Sequence, residues 1–139
     1  MLHKKHRKMK KITRKKWKLA GGIIGGIMVI LVVICGVYVS DYYRADPNVE
    51  ECLMTDEIVN VKQIRNDRII FSVDDPVAGL IFYPGGKVEY TAYAPLLRGL
   101  AEQGILCILV QMPYNLAVLD IDAADGIQEE FPEIEDWYI

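Results

Sequence analysis

GLIFYPGGKVEYTAYAPLLRGLAEQGILCILV, residues 79–110, decides the fold. Gly79–Tyr83 is a short continuous apolar run, as a strand buried on both faces shows. Pro84-Gly85-Gly86-Lys87 breaks it. Tyr93, Leu96, Leu97, Leu100 and Ala101 then recur at i, i+3, i+4, i+7 and i+8, one face of a helix. Thr91 is the expected N-cap, and Pro95 falls in the first turn, where its missing N–H costs little. Gly104 stops the helix, and Ile105–Gln111 is the strongest strand in the chain. Strand, helix, strand in this compass is a βαβ unit, which implies a parallel pair.

Upstream, Glu57–Ile64 alternates as a strand, Asn66-Asp67 marks a turn, and Arg68–Val73 reads as a second strand. Asp74-Asp75-Pro76 is another turn. Downstream, Met112-Pro113-Tyr114-Asn115 is a loop. Asp120 or Asp122 caps an expected second helix that puts Ala123, Ile127 and Phe131 on one face and ends at Pro132. Trp137-Tyr138-Ile139 begins a further buried strand. The expected class is therefore α/β, a mixed, mostly parallel sheet with flanking helices.

The formal net charge of −3 averages two opposite regions. Residues 1–18 hold ten Lys/Arg and no acid, whereas residues 41–139 hold six bases against nineteen acids, a net −13. Between them Leu19–Val39 runs 21 residues without a charge. A bilayer core needs about 20 apolar residues in a helix, and in lipid only a helix satisfies such a backbone. A cleaved signal peptide has a shorter apolar region, about 7–15 residues, and a small-x-small site. The run here is longer, with Tyr38 where a small residue belongs. The expectation is an uncleaved single-pass anchor with four regions: a basic tail 1–18, a transmembrane helix 19–39, a stalk 40–55 and a domain 56–139. The excess of Lys/Arg on the N-terminal side puts that end in the cytoplasm and residues 41–139 across the membrane. Trp17, Tyr38, Tyr42 and Tyr43 stand at interfacial positions. The expected partner is membrane lipid, through the helix and the basic tail. Nucleic acid is not an expected partner, since the tail lacks interleaved aromatics beyond Trp17. Gly21/Gly25 and Gly22/Gly26 form overlapping small-xxx-small pairs that suit a homodimer, although glycine is common in membrane helices anyway.

Chemistry in the acidic region is narrow. The serines of the whole chain are Ser40 and Ser72, and the histidines are His3 and His6. Cys107 lies inside an apolar strand, a small hydrophobe rather than a nucleophile, and Cys52 lies in the stalk. Neither has a histidine on its side of the apolar run, which excludes a Cys–His pair. Asp120, Asp122, Asp125, Glu129, Glu130, Glu133, Glu135 and Asp136 lack the order and central Gly of a calcium loop, so they read as a solvated face; no metal or cofactor is expected. Pro84-Gly85-Gly86-Lys87 is not a P-loop, because position 81 is Ile and position 88 is Val, and no third Gly makes a dinucleotide fingerprint. Two readings of this turn remain open: an oxyanion hole built from backbone N–H groups, and an ordinary tight strand-to-helix turn.

Tyr83-Pro84-Gly85-Gly86-Lys87-Val88, Tyr93-x-Pro95-Leu96-Leu97 and Val110-x-Met112-Pro113-x-Asn115-Leu116 resemble the N-terminal half of a bacterial α/β-hydrolase-fold family, the "alpha/beta hydrolase family 5" type of esterase-like protein. The resemblance covers about residues 56–139, most closely 79–139. It implies that the turn after the third strand supplies an oxyanion hole, which falls on Gly86 and Lys87, with Gly85 allowing the turn. It also implies a cell-membrane location behind a single anchor. In such hydrolases the strand beginning near Trp137 leads into a Gly-x-Ser-x-Gly nucleophile elbow, followed by an acid and a His.

Two expectations follow. The first is that these residues are the N-terminal portion of a membrane-anchored serine hydrolase, stopping before the elbow and inactive by themselves for want of the triad. The alternative is a non-catalytic anchored interaction module that self-associates or pairs with a separate chain.

Overall fold

The computed structural model describes residues 2–64 and 67–139, with side chains from Lys16 onward; Asn66 of the expected Asn66-Asp67 turn lies outside the described residues. The chain divides into two units, Met1–Ser40 and Asp41–Ile139.

The first unit is one helix, α1 (Leu2–Ser40). Its stretch Lys16–Ser40 is long and apolar enough to cross a membrane. Leu19–Val39 spans about 32 Å at 1.5 Å per residue, against a hydrocarbon core of about 30 Å. Its large side chains, from Ile23 to Val37, are all at least half exposed, so protein packing does not account for this apolar surface.

The second unit is built on a five-stranded sheet: β1 (Asn60–Ile64), β2 (Arg68–Ser72), β3 (Ala78–Phe82), β4 (Ile105–Val110) and β5 (Trp137–Tyr138), in the order β1-β2-β4-β3-β5. β1–β2 and β2–β4 are antiparallel, and β3 pairs in parallel with both β4 and β5. The mixed sheet with a parallel β3–β4 core is as the spacing predicts, but it is not mostly parallel, because β2 pairs antiparallel on both its sides. β4 is central, and Leu106–Val110 are buried on both faces. The period-two alternation sorts them: Cys107 and Leu109 join Ile69 and Phe71 on one face, while Leu106, Ile108 and Val110 join Ile70 and Ile81 on the other. The register agrees, with Ile69 opposite Leu109, Ile70 opposite Ile108 and Phe71 opposite Cys107.

The first face is covered by α3 (Ala94–Ala101), which a 3₁₀ turn at Tyr90–Tyr93 leads into. Of its expected face, Leu97 and Ala101 are buried together with Ala94, Tyr93 and Leu100 pack beside them, and Leu96 alone turns out, 54% exposed. Thr91 does not cap it; the helix starts after Tyr93 with Pro95 in the first turn, and no side-chain cap is made. Gly104 ends the segment at φ 90, as the sequence predicts. Arg98 ties α3 to the preceding chain: Nη1 donates to the carbonyls of Cys52 (3.1 Å) and Met54 (2.7 Å), and Nη2 pairs with Asp56. Asp56 Oδ1 also accepts the N–H groups of Ile58 and Val59, and this turn delays β1 to Asn60.

The second face is covered without an α-helix, which corrects the helix expected after Asp120 or Asp122. The chain forms 3₁₀ turns at Ala117–Leu119 and Gln128–Glu130, joined by i→i−3 bonds such as Asp125 N–H to Asp122 O (2.9 Å). Gly126 at φ 75 breaks any helical run. The apolar spacing still has meaning: Ile127 and Ile134 are buried here, with Ala123, Phe131 and Trp137 packed alongside.

Trp137 extends the sheet at β5, half-buried, while Tyr138 and Ile139 are 63% and 76% exposed, so that strand is not buried as expected. The Trp137 ring lies over Gly79, where an added Cβ would come within 2.5 Å of it. Residues 41–55, read as a stalk, are tied into this unit. Tyr43 makes a parallel bridge with Val88, and α2 (Val49–Cys52) buries Val49.

Candidate functional site

The connection leaving β3 runs to the α3 face, and the connection leaving β4 runs to the opposite face. Adjacent parallel strands with connections to opposite sides leave a crevice at their carboxyl ends, where ligands settle in open α/β sheets. Two loops meet there: Tyr83–Glu89 after β3 and Gln111–Leu116 after β4.

Gly85, Gly86 and Lys87 lie together in the first loop, as the sequence places them. Their three backbone N–H groups have different fates. Gly85 N–H donates to the Tyr93 hydroxyl oxygen at 3.2 Å. Lys87 N–H donates to the Asn115 carbonyl at 2.8 Å, which joins the two loops. Gly86 N–H meets no acceptor among the described residues. Space is open around Gly86: a Cβ built there would have Leu116 Cδ2 as its neighbour, at 4.0 Å.

Backbone strain concentrates at this junction. Lys87 (φ 60), Tyr114 (φ 53) and Asn115 (φ 56) all occupy the left-handed region. Each costs an L-residue roughly 1–2 kcal/mol, least for Asn. The surrounding contacts hold the arrangement. Lys87 O accepts Tyr43 N–H (2.8 Å), Glu89 N–H donates to Tyr43 O (2.8 Å), and Lys87 Nζ reaches Asp41 Oδ2 at 3.1 Å. Tyr83 braces the other side: its hydroxyl accepts Ala124 N–H (2.8 Å) and donates to Ile121 O (3.1 Å). Burial, and secondarily the charge of Glu89, raise the Tyr90 phenol above its ordinary value and keep it neutral.

Other reactive groups lie elsewhere. Cys107 is buried in β4 and burial pushes its thiol up to about 12, so it is no thiolate nucleophile at neutral pH. Ser72 sits in β2, its hydroxyl donating to Asn60 O at 3.3 Å. Asp120, Asp122, Asp125, Glu129, Glu130, Glu133, Glu135 and Asp136 are all exposed, and among the described residues no three His, Cys, Asp or Glu side chains are grouped to hold a metal ion. On α1, Gly21, Gly22, Gly25 and Gly26 each have open space where a Cβ would stand.

Tyr93 and Asn115 are the partners that sequence reasoning missed. The apolar spacing assigns Tyr93 to a helix core face; it lies in the 3₁₀ segment before that helix, and its ring packs on the core, tilted on Phe82 with centroids 4.9 Å apart. Its hydroxyl instead reaches the turn.

Residues 79–139 match the family model described as "Alpha/beta hydrolase family", somewhat less than half of the chain. The match supports the alpha/beta hydrolase family for this segment. No curated protein and no solved structure matches the chain.

Proposed function

We propose that residues 41–139 form the oxyanion-stabilising part of an esterase-like serine hydrolase site, held at a membrane by Leu19–Val39 with the basic tail on the cytoplasmic side. The observation that carries this reading is the open Gly86 N–H at the carboxyl ends of β3 and β4, within a segment that matches a hydrolase family. In ester hydrolysis the carbonyl oxygen gains negative charge as the tetrahedral intermediate forms. A preorganised N–H aimed at that oxygen stabilises the transition state, and losing one such donor costs about 100- to 1,000-fold in rate. Gly86 fills that role first. Gly85 supplies the turn, and Lys87 N–H, which the resemblance also implies, is held by the Asn115 carbonyl at 2.8 Å.

These residues supply binding groups and no nucleophile–base pair: Ser72 bonds Asn60 O across the β1–β2 pair, and every His precedes the apolar run. A fluorophosphonate probe therefore leaves the 139-residue chain unlabelled. The positive test uses acetate, whose carboxylate imitates the oxyanion. Titrated into the ¹⁵N-labelled chain in detergent, against chloride at equal ionic strength, acetate shifts the Gly86 amide saturably. An unmoved Gly86 resonance sinks the oxyanion reading.

The open surfaces around Gly21, Gly25, Gly22 and Gly26 support a second reading, an anchored interaction module whose α1 helices pair. A defined dimer in detergent that Gly25→Leu disperses supports this reading; a monomer counts against it.

A further inference from the structure

Tyr93 stands where it can do more than fill space. It closes the 3₁₀ turn before α3, half-buried, and its ring is fixed by Phe82. Its hydroxyl oxygen accepts the Gly85 N–H, one residue before the open Gly86 N–H. A phenol oxygen that accepts one hydrogen bond still carries its own proton, and among the described residues that proton meets no acceptor. The approach is close enough that a Cβ at position 85 would lie 2.6 Å from the hydroxyl, so only glycine there admits it. The hydroxyl, bonded to the amide next in the chain, is thus available as a second donor to an oxygen anion seated on Gly86 N–H.

We propose that the Tyr93 hydroxyl is a side-chain donor of the oxyanion site, completing with Gly86 N–H a two-donor cradle for the developing charge. This rests on the oxyanion reading of the same turn. The hydrogen bond from Gly85 fixes the oxygen and turns its proton outward. The accepted bond also polarises the hydroxyl, which makes it a better donor. The pair replaces the two-amide arrangement that the Lys87–Asn115 bond blocks.

The test is the acetate titration of the full chain in detergent, read at the Gly86 amide, for three proteins. Tyr93→Phe keeps the ring on Phe82 and removes the hydroxyl; acetate binding is expected to weaken about tenfold or more, as for loss of a hydrogen bond to a charged group. Resonances of Leu106 and Ile108 report whether the sheet is intact. Fluorotyrosine at position 93 has a hydroxyl that donates more strongly and accepts more weakly, so acetate binding tightens. If fluorotyrosine weakens binding along with Tyr93→Phe, the hydroxyl serves only as an acceptor for Gly85 and the donor role is overturned. If Tyr93→Phe binds acetate as the parent does, Tyr93 has no part in the cradle, while the Gly86 site stands. If Gly86 fails to respond even in the parent chain, the oxyanion reading falls and Tyr93 falls with it.

Discussion

On one face of the sheet Ala94, Leu97 and Ala101 close over Ile69, Phe71, Cys107 and Leu109; on the other, Ile127 and Ile134 close over Ile70, Ile81, Leu106 and Ile108. Both covers present apolar residues at helical spacing in the sequence. One is a regular helix and the other a string of 3₁₀ turns. The difference lies in what stands between the apolar residues. α3 keeps Leu96, Arg98 and Leu100 between its contacts, carries Gly99 at an ordinary helical φ, and ends at Ala101 ahead of Gly104. The second cover carries Asp122, Asp125 and Gly126, which favour turns over helix. Apolar spacing therefore reports which residues face the sheet, and the residues between them decide the backbone that brings them there.

If the helical cover is the stiffer, it is the less able to collapse around a deletion. Leu97→Ala should cost about 3–5 kcal/mol, and Ile127→Ala nearer about 2 kcal/mol, in urea unfolding of the full chain in detergent. Equal costs would mean that the two covers are equally rigid. At the edge of the second face, Gly79→Ala drives a methyl into the Trp137 ring and should cost about 1–3 kcal/mol by overpacking. Trp137 emission in a Trp17→Phe background would shift to the red as the ring lifts off β3; an unmoved spectrum would show that β5 slides to make room.

The smallest effect belongs to an exposed group on the α3 side. Hydrogen bonds from Val59 and Ile58 N–H, and then the Arg98 guanidinium, hold the Asp56 carboxyl below its ordinary value of 3.8. A lowered carboxylate stabilises the fold at pH above that ordinary value, and the contribution fades as pH falls through the lowered one. The midpoint of thermal unfolding should therefore drop in acid more steeply for the parent chain than for Asp56→Asn. Parallel curves would remove Asp56 from the acid response.

The strands were legible because a short, continuously apolar run is a local signal: Ile69, Ile70 and Phe71, or Leu106 through Val110, carry it within one element. The α3 face was legible in Leu97, Leu100 and Ala101; with the first turn starting at Ala94, that residue joins the buried stripe and Leu96 turns out of it. The glycine turn was legible because Gly85-Gly86 after a strand has few other uses. Its partners were not. The Asn115 carbonyl reaches Lys87 across two connections, and the Tyr93 hydroxyl reaches back eight positions to Gly85. The first contact depends on strand order and the second on how the connection folds back, and spacing along the chain encodes neither. Tyr93 was also masked by its own ring, which satisfies the apolar pattern while the oxygen at its far end works elsewhere.

The bridge between Tyr43 and Val88 has a mechanical side. Past Ser40, the chain's first attachments to the sheet unit are Asp41 to the Lys87 ammonium and Tyr43 to the Lys87 and Glu89 backbone. A pull on the chain at Ser40 is thus delivered to the glycine turn before it reaches any strand. The turn is the load point of the domain, and tension there strains the peptide units of Gly85, Gly86 and Lys87.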